Sequence, residues 1–254
     1  MSMTTTVEIA TPDGTADAYL VRPPDDGPFP GVLMFMDAFG LRPRLQDMAG
    51  RIADRGYAVL VPNLLYRGGR PPLVDPADLT DPERRGAAFT RLMPMIQQLT
   101  PHRIAADTAA YLDFFAAQDG VAAGPVVVVG YCMGGTNALR AIEAHPDRIA
   151  GLASFHAGRL VTDGPDSPHL AVGEITGEAY FAHADNDRSM PAEHIKALEA
   201  ALDEAGVRYT SEVYAGAGHG FTMSDTAAHQ EAAEQRHWEN LFAMLDRVLP
   251  KPLR

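Results

Sequence analysis

The chain has 254 residues, a formal charge of −12, 46% hydrophobic and 21% charged positions, and a single cysteine. That length buries one large core, no apolar run approaches the ~20 residues that span a bilayer, and so acidic a surface repels phosphate backbones. An integral membrane protein is excluded, a nucleic-acid partner is not expected, and one cysteine can build neither an internal disulfide nor a thiolate metal cage.

The opening MSMTTTVEIATPDG has neither a basic region nor an apolar run of the kind that directs export, which predicts a cytoplasmic protein. Two alternating stretches around Asp13-Gly14 then predict a hairpin, an antiparallel start to a sheet. From about residue 31 the pattern becomes βα. Short apolar or alternating runs at 31–36, 57–62, 125–130, 149–155, 178–184 and 208–216 are predicted strands. The unbroken run Val126 to Val129 predicts a strand covered on both faces, as in a parallel sheet. Between the strands, Ile104, Thr108, Tyr111, Leu112 and Phe115 share one helical face. So do Ile195, Leu198 and Leu202, and then Trp238, Leu241, Phe242, Leu245 and Leu249. These alternations predict one α/β domain over residues 1–254, a mostly parallel doubly wound sheet with an antiparallel N-terminal hairpin and helices on both faces, its ligands at the carboxyl ends of the strands. A TIM barrel is the competing architecture. Residues 63–100 break the rhythm with five arginines and five prolines, which predicts a partly helical, lid-like excursion over the site.

Chemistry concentrates first at Gly130-Tyr131-Cys132-Met133-Gly134-Gly135, where a buried strand runs into a helix. A nucleophile on so sharp a turn needs small flanking residues, which Gly130 and Gly134 supply. The turn lifts the sulfur above the sheet, and the helix N-terminus behind it favours thiolate. The bland alternative is a small buried hydrophobe in a glycine-rich turn. A nucleophile there needs an acid and then a histidine further along the chain. His219, in Gly216-Ala217-Gly218-His219-Gly220, follows a predicted strand and is the best placed of nine histidines. His102, His145, His194, His229 and His237 lie on or beside helices and are expected in solvent. The acid is Asp185 or Asp187, both just past the predicted strand 178–184. Asp187 stands four residues before Pro191, the expected first residue of the next helix. His183, Asp185 and Asp187 also alternate like ligands on one strand face, but no further cluster supports a metal site.

Taken together, GYCMGG, the Asp187 strand end and GAGHGF, with GVLMFMDAFGLRP and GYAVLVPNLLYR upstream, resemble the dienelactone hydrolase family, carboxymethylenebutenolidase-like enzymes of the α/β-hydrolase fold. The resemblance runs from about residue 31 to the C-terminus. It implies a Cys, Asp, His triad of Cys132, Asp187 and His219, an oxyanion hole from the backbone amides of Ala38 and Met133, and hydrolysis of a small ester or lactone through a thioester without cofactor or metal. A monomer or small homo-oligomer is expected. Two positions depart from the family pattern: Asp37 stands where those enzymes carry a glutamate near the cysteine, and Phe221-Thr222-Met223-Ser224 lacks the arginine that clamps a substrate carboxylate. The second departure predicts a preference for a neutral or differently charged ester, unless Arg84 or Arg85 in the lid, or Arg159 beyond the next strand, supplies the cation. His156 is a further candidate for the pocket. The rival readings are a catalytically silent binding protein of the same fold, against which Cys132, Asp187 and His219 argue, and a redox-sensing thiol, which lacks a resolving cysteine.

Overall fold

The computed structural model describes residues 1–249; the last five positions of the expected domain, 250–254, lie outside the described residues. β1 (Met3–Thr11) and β2 (Gly14–Arg22) pair antiparallel around a two-residue turn, with Thr11 opposite Gly14. The turn residues are therefore Pro12 and Asp13, and Gly14 (φ 145°) opens the second strand. β2 also pairs antiparallel with β4 (Ala58–Pro62). All later pairings are parallel: β3 (Gly31–Phe35) with β4 and with β5 (Val126–Tyr131), then β6 (Ile149–Phe155), β7 (Glu178–Ala184) and β8 (Arg208–Tyr214) in turn.

The result is one open sheet in the order β1-β2-β4-β3-β5-β6-β7-β8, which excludes the barrel because β1 and β8 are free edges. β3, β4, β5 and β7 are buried at every position, so helices and loops cover both faces, as continuous apolar runs require. α1 (Pro43–Ala53) packs against β2 and β4, α5 (Met133–Ala144) against β5 and β6, and α7 (Glu231–Val248) against β6 and β7. α4 (Pro101–Ala116) lies beside α5 and buries Ile104, Thr108, Tyr111, Leu112 and Phe115, the face expected from the sequence. α6 (Ala192–Ala205) likewise buries Ile195, Leu198 and Leu202; it begins one residue after Pro191, which caps it instead of starting it. Among the described residues no helix is long and apolar enough to cross a membrane.

The order also locates the crevice. The chain steps outward from β3 to β4 and then back across to β5, so the connections leaving β3 and β5 part in opposite directions at their carboxyl ends. The intervening segment 63–100 is more helical than its prolines suggested. It holds a 3₁₀ turn (Tyr66–Gly68), the one-turn α2 (Pro76–Leu79) and the fifteen-residue α3 (Pro82–Ile96). Pro76 and Pro82 occupy first-turn positions, where a missing N–H costs nothing, behind Asp75 and Asp81, whose side chains accept from the Ala77 and Arg84 amides.

Buried charge fastens this excursion to the sheet's flank. The Arg67 guanidinium donates twice to Asp107 of α4, at 2.7 and 2.9 Å, and the Tyr66 hydroxyl donates to the same carboxylate at 3.0 Å. Removing one partner of such a pair strands the other away from water. Asp107→Ala should therefore cost about 3–5 kcal/mol in urea denaturation, toward the lower end because Arg67 keeps Asp13 at 2.8 Å. Asp113→Ala, which breaks an exposed pair with Arg148, should cost under about 1 kcal/mol. Equal shifts at the two positions would contradict this account.

Candidate active site

Cys132 stands between β5 and α5 with φ 54° and ψ −121°, a left-handed backbone that costs an L residue on the order of 1–3 kcal/mol. Surrounding backbone holds it there. Its amide donates to the Phe155 carbonyl at 3.0 Å, and its own carbonyl accepts from the Gly135 amide at 2.9 Å. The flanking glycines are needed for contact reasons: a Cβ at Gly130 would strike the Gly134 carbonyl, and one at Gly134 would strike the carbonyls of Met36 and Phe35. The carboxyl ends of β3 and β5 thereby close to backbone contact, and Cys132 and Ala38 line one cavity.

His219 and Asp187 arrive from separate strand ends. Beyond β8, the Ala217 amide donates to Tyr214 and the Gly216 amide to the Asp185 carboxylate at 2.7 Å, while the Asp185 amide donates to Ala217. Asp185 thus ties the two loops together, and Asp187 is the carboxylate that reaches the histidine. His219 Nδ1 lies 2.6 Å from Asp187 Oδ2, and Nε2 lies 2.9 Å from Cys132 Sγ. The second Asp187 oxygen accepts from the Ser189 amide at 2.8 Å and from its hydroxyl at 2.7 Å. That turn was legible, since an Asp commonly accepts from the backbone two residues on.

The electrostatics favour charge on both His219 and Asp187. Burial works against the His219 cation, but the Cys132 sulfur and the Asp187 carboxylate outweigh it and push His219 up to about 10. Burial also opposes the Asp187 anion, and bonds from His219 and Ser189 hold it at about 2 instead. Beside them, His156 is fully buried with φ 40°, its Nε2 2.7 Å from Thr222 Oγ1 and its ring centroid 5.4 Å from that of His219. Burial, and then the neighbouring His219 and His237, hold it well below the usual histidine range. It therefore stays neutral against the His219 cation.

Ala38 and Met133 both line the cavity, and neither backbone amide meets an acceptor among the described residues. The cavity is about 720 Å³. Of the cations the sequence left open, Arg85 and Arg159 line it, and Arg140 and Arg188 join them. Arg84 does not, because the one-residue step along α3 turns it to solvent, where it is exposed. Arg140 and Arg188 carried no signal in the sequence, since only the fold brings α5 and the β7 loop to one wall. Asp37 is a buried acid paired with an arginine. Its two oxygens accept from the buried Arg42 guanidinium at 2.6 and 2.8 Å, so its charge is committed to that pair. The same guanidinium bonds Asp225 at 2.6 Å and touches Met223 Sδ at 3.5 Å. An arginine from the β3–α1 connection thus occupies the neighbourhood of the position that lacked one.

Among the remaining histidines, His102 is exposed, but His237 is fully buried with Nε2 3.0 Å from the Tyr131 hydroxyl, and burial takes it down to about 3. The expectation of solvent failed there because α7 turns that face onto β6. His145 and His229 are partly buried, bonded to the Ala105 carbonyl and to Glu234, and His194 is partly buried too. His183 is buried and lies 3.1 Å from Ser211 Oγ, and no metal-holding cluster occurs among the described residues.

The model of the dienelactone hydrolase family matches residues 16–249. The chain is 26% identical over 242 residues to a carboxymethylenebutenolidase of Rhodococcus opacus, covering 94% of this chain and 89% of that one. It is 26% identical over 230 residues to a Salmonella typhi protein provisionally given the same name, covering 89% and 80%. A crystal structure from Klebsiella pneumoniae subsp. pneumoniae MGH 78578, provisionally named a dienelactone hydrolase, superposes with a TM-score of 0.81 at 21% identity, covering 96% of this chain and 98% of that one. This last likeness establishes the α/β-hydrolase fold.

The raised His219 value has a thermodynamic consequence. A group whose folded value lies above its unfolded one contributes stability fully below the unfolded value, about 6.5, and loses it as pH rises toward 10. The stability gap between wild type and His219→Gln should therefore be widest near pH 6 and close toward pH 10 in urea titrations. A gap that stays constant across that range would refute the charged pair.

Proposed function

The chain belongs to the dienelactone hydrolase family, and from that premise we propose that it cleaves a small carboxylic ester or lactone through a thioester on Cys132. The observation that carries this reading is the continuous hydrogen-bonded line from Cys132 Sγ through His219 to Asp187, with 2.9 and 2.6 Å separations. In this reading His219 holds the proton of the Cys132 thiol when the substrate is attacked. Sγ attacks the substrate carbonyl carbon, and the oxygen that gains charge is received by the Ala38 and Met133 amides, which cost no reorganisation at that moment. As the C–O bond breaks, His219 gives its proton to the leaving oxygen. Neutral His219 next takes a proton from water, whose oxygen attacks the thioester, and collapse of the second tetrahedral species releases the acid and restores the thiolate. Asp187 fixes the Nδ1–H tautomer of His219 through this cycle, and Ser189 fixes Asp187.

In this reading residues 1–254 act as one domain and segment 63–100 as its lid, because α3 contributes Pro82, Arg85, Gly86, Phe89 and Met93 to the cavity wall. Arg85 and Arg159 are then substrate contacts, whereas Arg84 is not. A cytoplasmic location suits a thiol that must stay reduced without a partner cysteine. No cofactor, metal or nucleic acid enters the reaction, and a monomer or small homo-oligomer suffices because the residues assigned to it come from one chain.

One equivalent of iodoacetamide should abolish hydrolysis of p-nitrophenyl esters and small lactones, with the adduct on Cys132 by mass spectrometry. Full activity in stoichiometrically labelled protein would defeat the assignment. Asp187→Asn should lower kcat by on the order of 10⁴, as loss of the orienting carboxylate does in serine triads. Asp185→Asn should be far milder, because it only loosens the loop that carries His219. The reverse ranking, in folded proteins, would overturn the choice of Asp187.

A further inference from the structure

The strand order gives the cavity two chemically different ends. On one side α3 contributes Phe89, Met93 and Ile96 to an apolar wall together with Phe39 of the β3–α1 connection. Phe39 and Phe89 meet edge to face at 6.4 Å, and Phe89 is 40% exposed, a large aromatic side chain left without cover at the cavity lip. Cys132 leaves β5 in the middle of the sheet. On its other side, the loops after β6 and β7 contribute Arg159 and Arg188. The two loops are locked together: the Arg159 amide donates to the Ser189 carbonyl at 2.7 Å, Arg159 holds φ 57°, and a Cβ on Gly158 would strike the Ser189 side chain.

Neither Arg159 nor Arg188 has a carboxylate partner among the described residues. Asp187 is already taken by His219 and Ser189, and Asp166 sits exposed at the rim. One turn of α5 beyond the cysteine, Asn137 is 6% exposed, faces the same cavity, and has an Nδ2 donor without an acceptor. A buried donor left unpaired is costly, and a ligand acceptor would recover that cost. Two unpaired guanidiniums in a protein of charge −12 focus an anion toward this end. Arg85 differs from them, since its guanidinium lies 5.9 Å from the Phe39 ring and against the Gly220 loop, close to the reacting centre.

We infer that the substrate is an amphiphilic ester, with an aromatic or branched apolar group on one side of the scissile carbonyl, against Phe89 and Met93, and an anionic group on the other, held by Arg159 and Arg188. This rests on the hydrolase reading above and adds to it the two poles and their order across the sheet. A cavity of about 720 Å³ has room for both groups at once.

The test uses the full chain and two pairs of near-isosteric esters. One pair is 2-naphthyl 4-sulfobutanoate and its methyl sulfone counterpart. The other reverses the ester: 3-sulfopropyl 2-naphthylacetate and its methyl sulfone counterpart. In at least one pair the sulfonate should be preferred in kcat/KM by about tenfold or more, the worth of a charged hydrogen bond. The preference ratio should collapse toward one in Arg159→Gln/Arg188→Gln, and should survive in Arg85→Gln. Replacing naphthylacetate by acetate should cost the wild type most of its kcat/KM, and should cost Phe89→Ala much less. A second readout is calorimetric binding of 3-(2-naphthyl)propane-1-sulfonate to Cys132→Ala protein, which should need Arg159 and Arg188. Turnover through Cys132 with no sulfonate preference, or a preference that vanishes with Arg85→Gln instead, would overturn the two-pole substrate and leave the hydrolase reading intact. Absence of any turnover, with Arg159- and Arg188-dependent binding still measured, would defeat the hydrolase reading and uphold the two poles.

Discussion

Backbone crowding at the carboxyl ends of β3 and β5 is the constraint from which the site grows. The Gly134 amide plane lies against the carbonyls of Phe35 and Met36, and Gly130 lies against Gly134. Only chains without Cβ atoms at these positions approach so closely. The approach leaves Cys132 in a left-handed backbone at the start of α5, with its carbonyl turned inward to Gly135 and its sulfur outward to the cavity. Strain of this kind persists only where the surroundings over-determine it. Here they do so through the parallel register of β5 with both β3 and β6, which fixes the Cys132 amide on the Phe155 carbonyl.

Charge is arranged around that point in layers. The Asp187 and His219 pair is held from outside by Ser189 and by the Asp185 bridge between loops, so the ionised groups sit among donors and acceptors that do not move with them. His156 adds a neutral ring at the back of His219, kept neutral by complete burial. A second, separate ion set forms from Arg42, Asp37 and Asp225. Its burial gives it a structural consequence: it pins the β3–α1 connection, and hence the Ala38 amide, to the loop that follows His219. The acidic protein thus places the exposed Arg159 and Arg188 on the cavity wall, while the buried Arg42 and the part-buried Arg67 are consumed in fixing backbone.

Much of this was legible in the amino-acid order. Continuous apolar runs located the buried parallel strands because a strand covered on both faces cannot alternate, and the helix faces at Ile104 to Phe115 and Ile195 to Leu202 followed from the 3.6-residue period. The glycines beside Cys132, the glycine-rich loop of His219 and the acid after β7 were local signals with local causes. The choice between Asp185 and Asp187 came from the family resemblance, and the geometry separates them by which oxygen meets His219.

Other features had no local cause. His237 lies on an amphipathic helix whose sequence does not say how its boundary residues face the sheet, and α7 buries it against Tyr131. Prolines 76 and 82 read as interruptions, yet they open helices, because a proline's effect depends on whether it falls in the first turn. The commitment of Asp37 to Arg42, the neighbourhood of Arg42 and Met223, and the bond from the Arg159 amide to Ser189 join separate parts of the chain or depend on burial. Sequence by itself therefore determined the sheet, the elbow and the loops that carry the proposed reactive groups, all of which depend on periodicity and steric size along the chain. The charge of the cavity was decided only by tertiary structure, because electrostatic energy depends on distance in space and on burial, and neither is a property of neighbours in sequence.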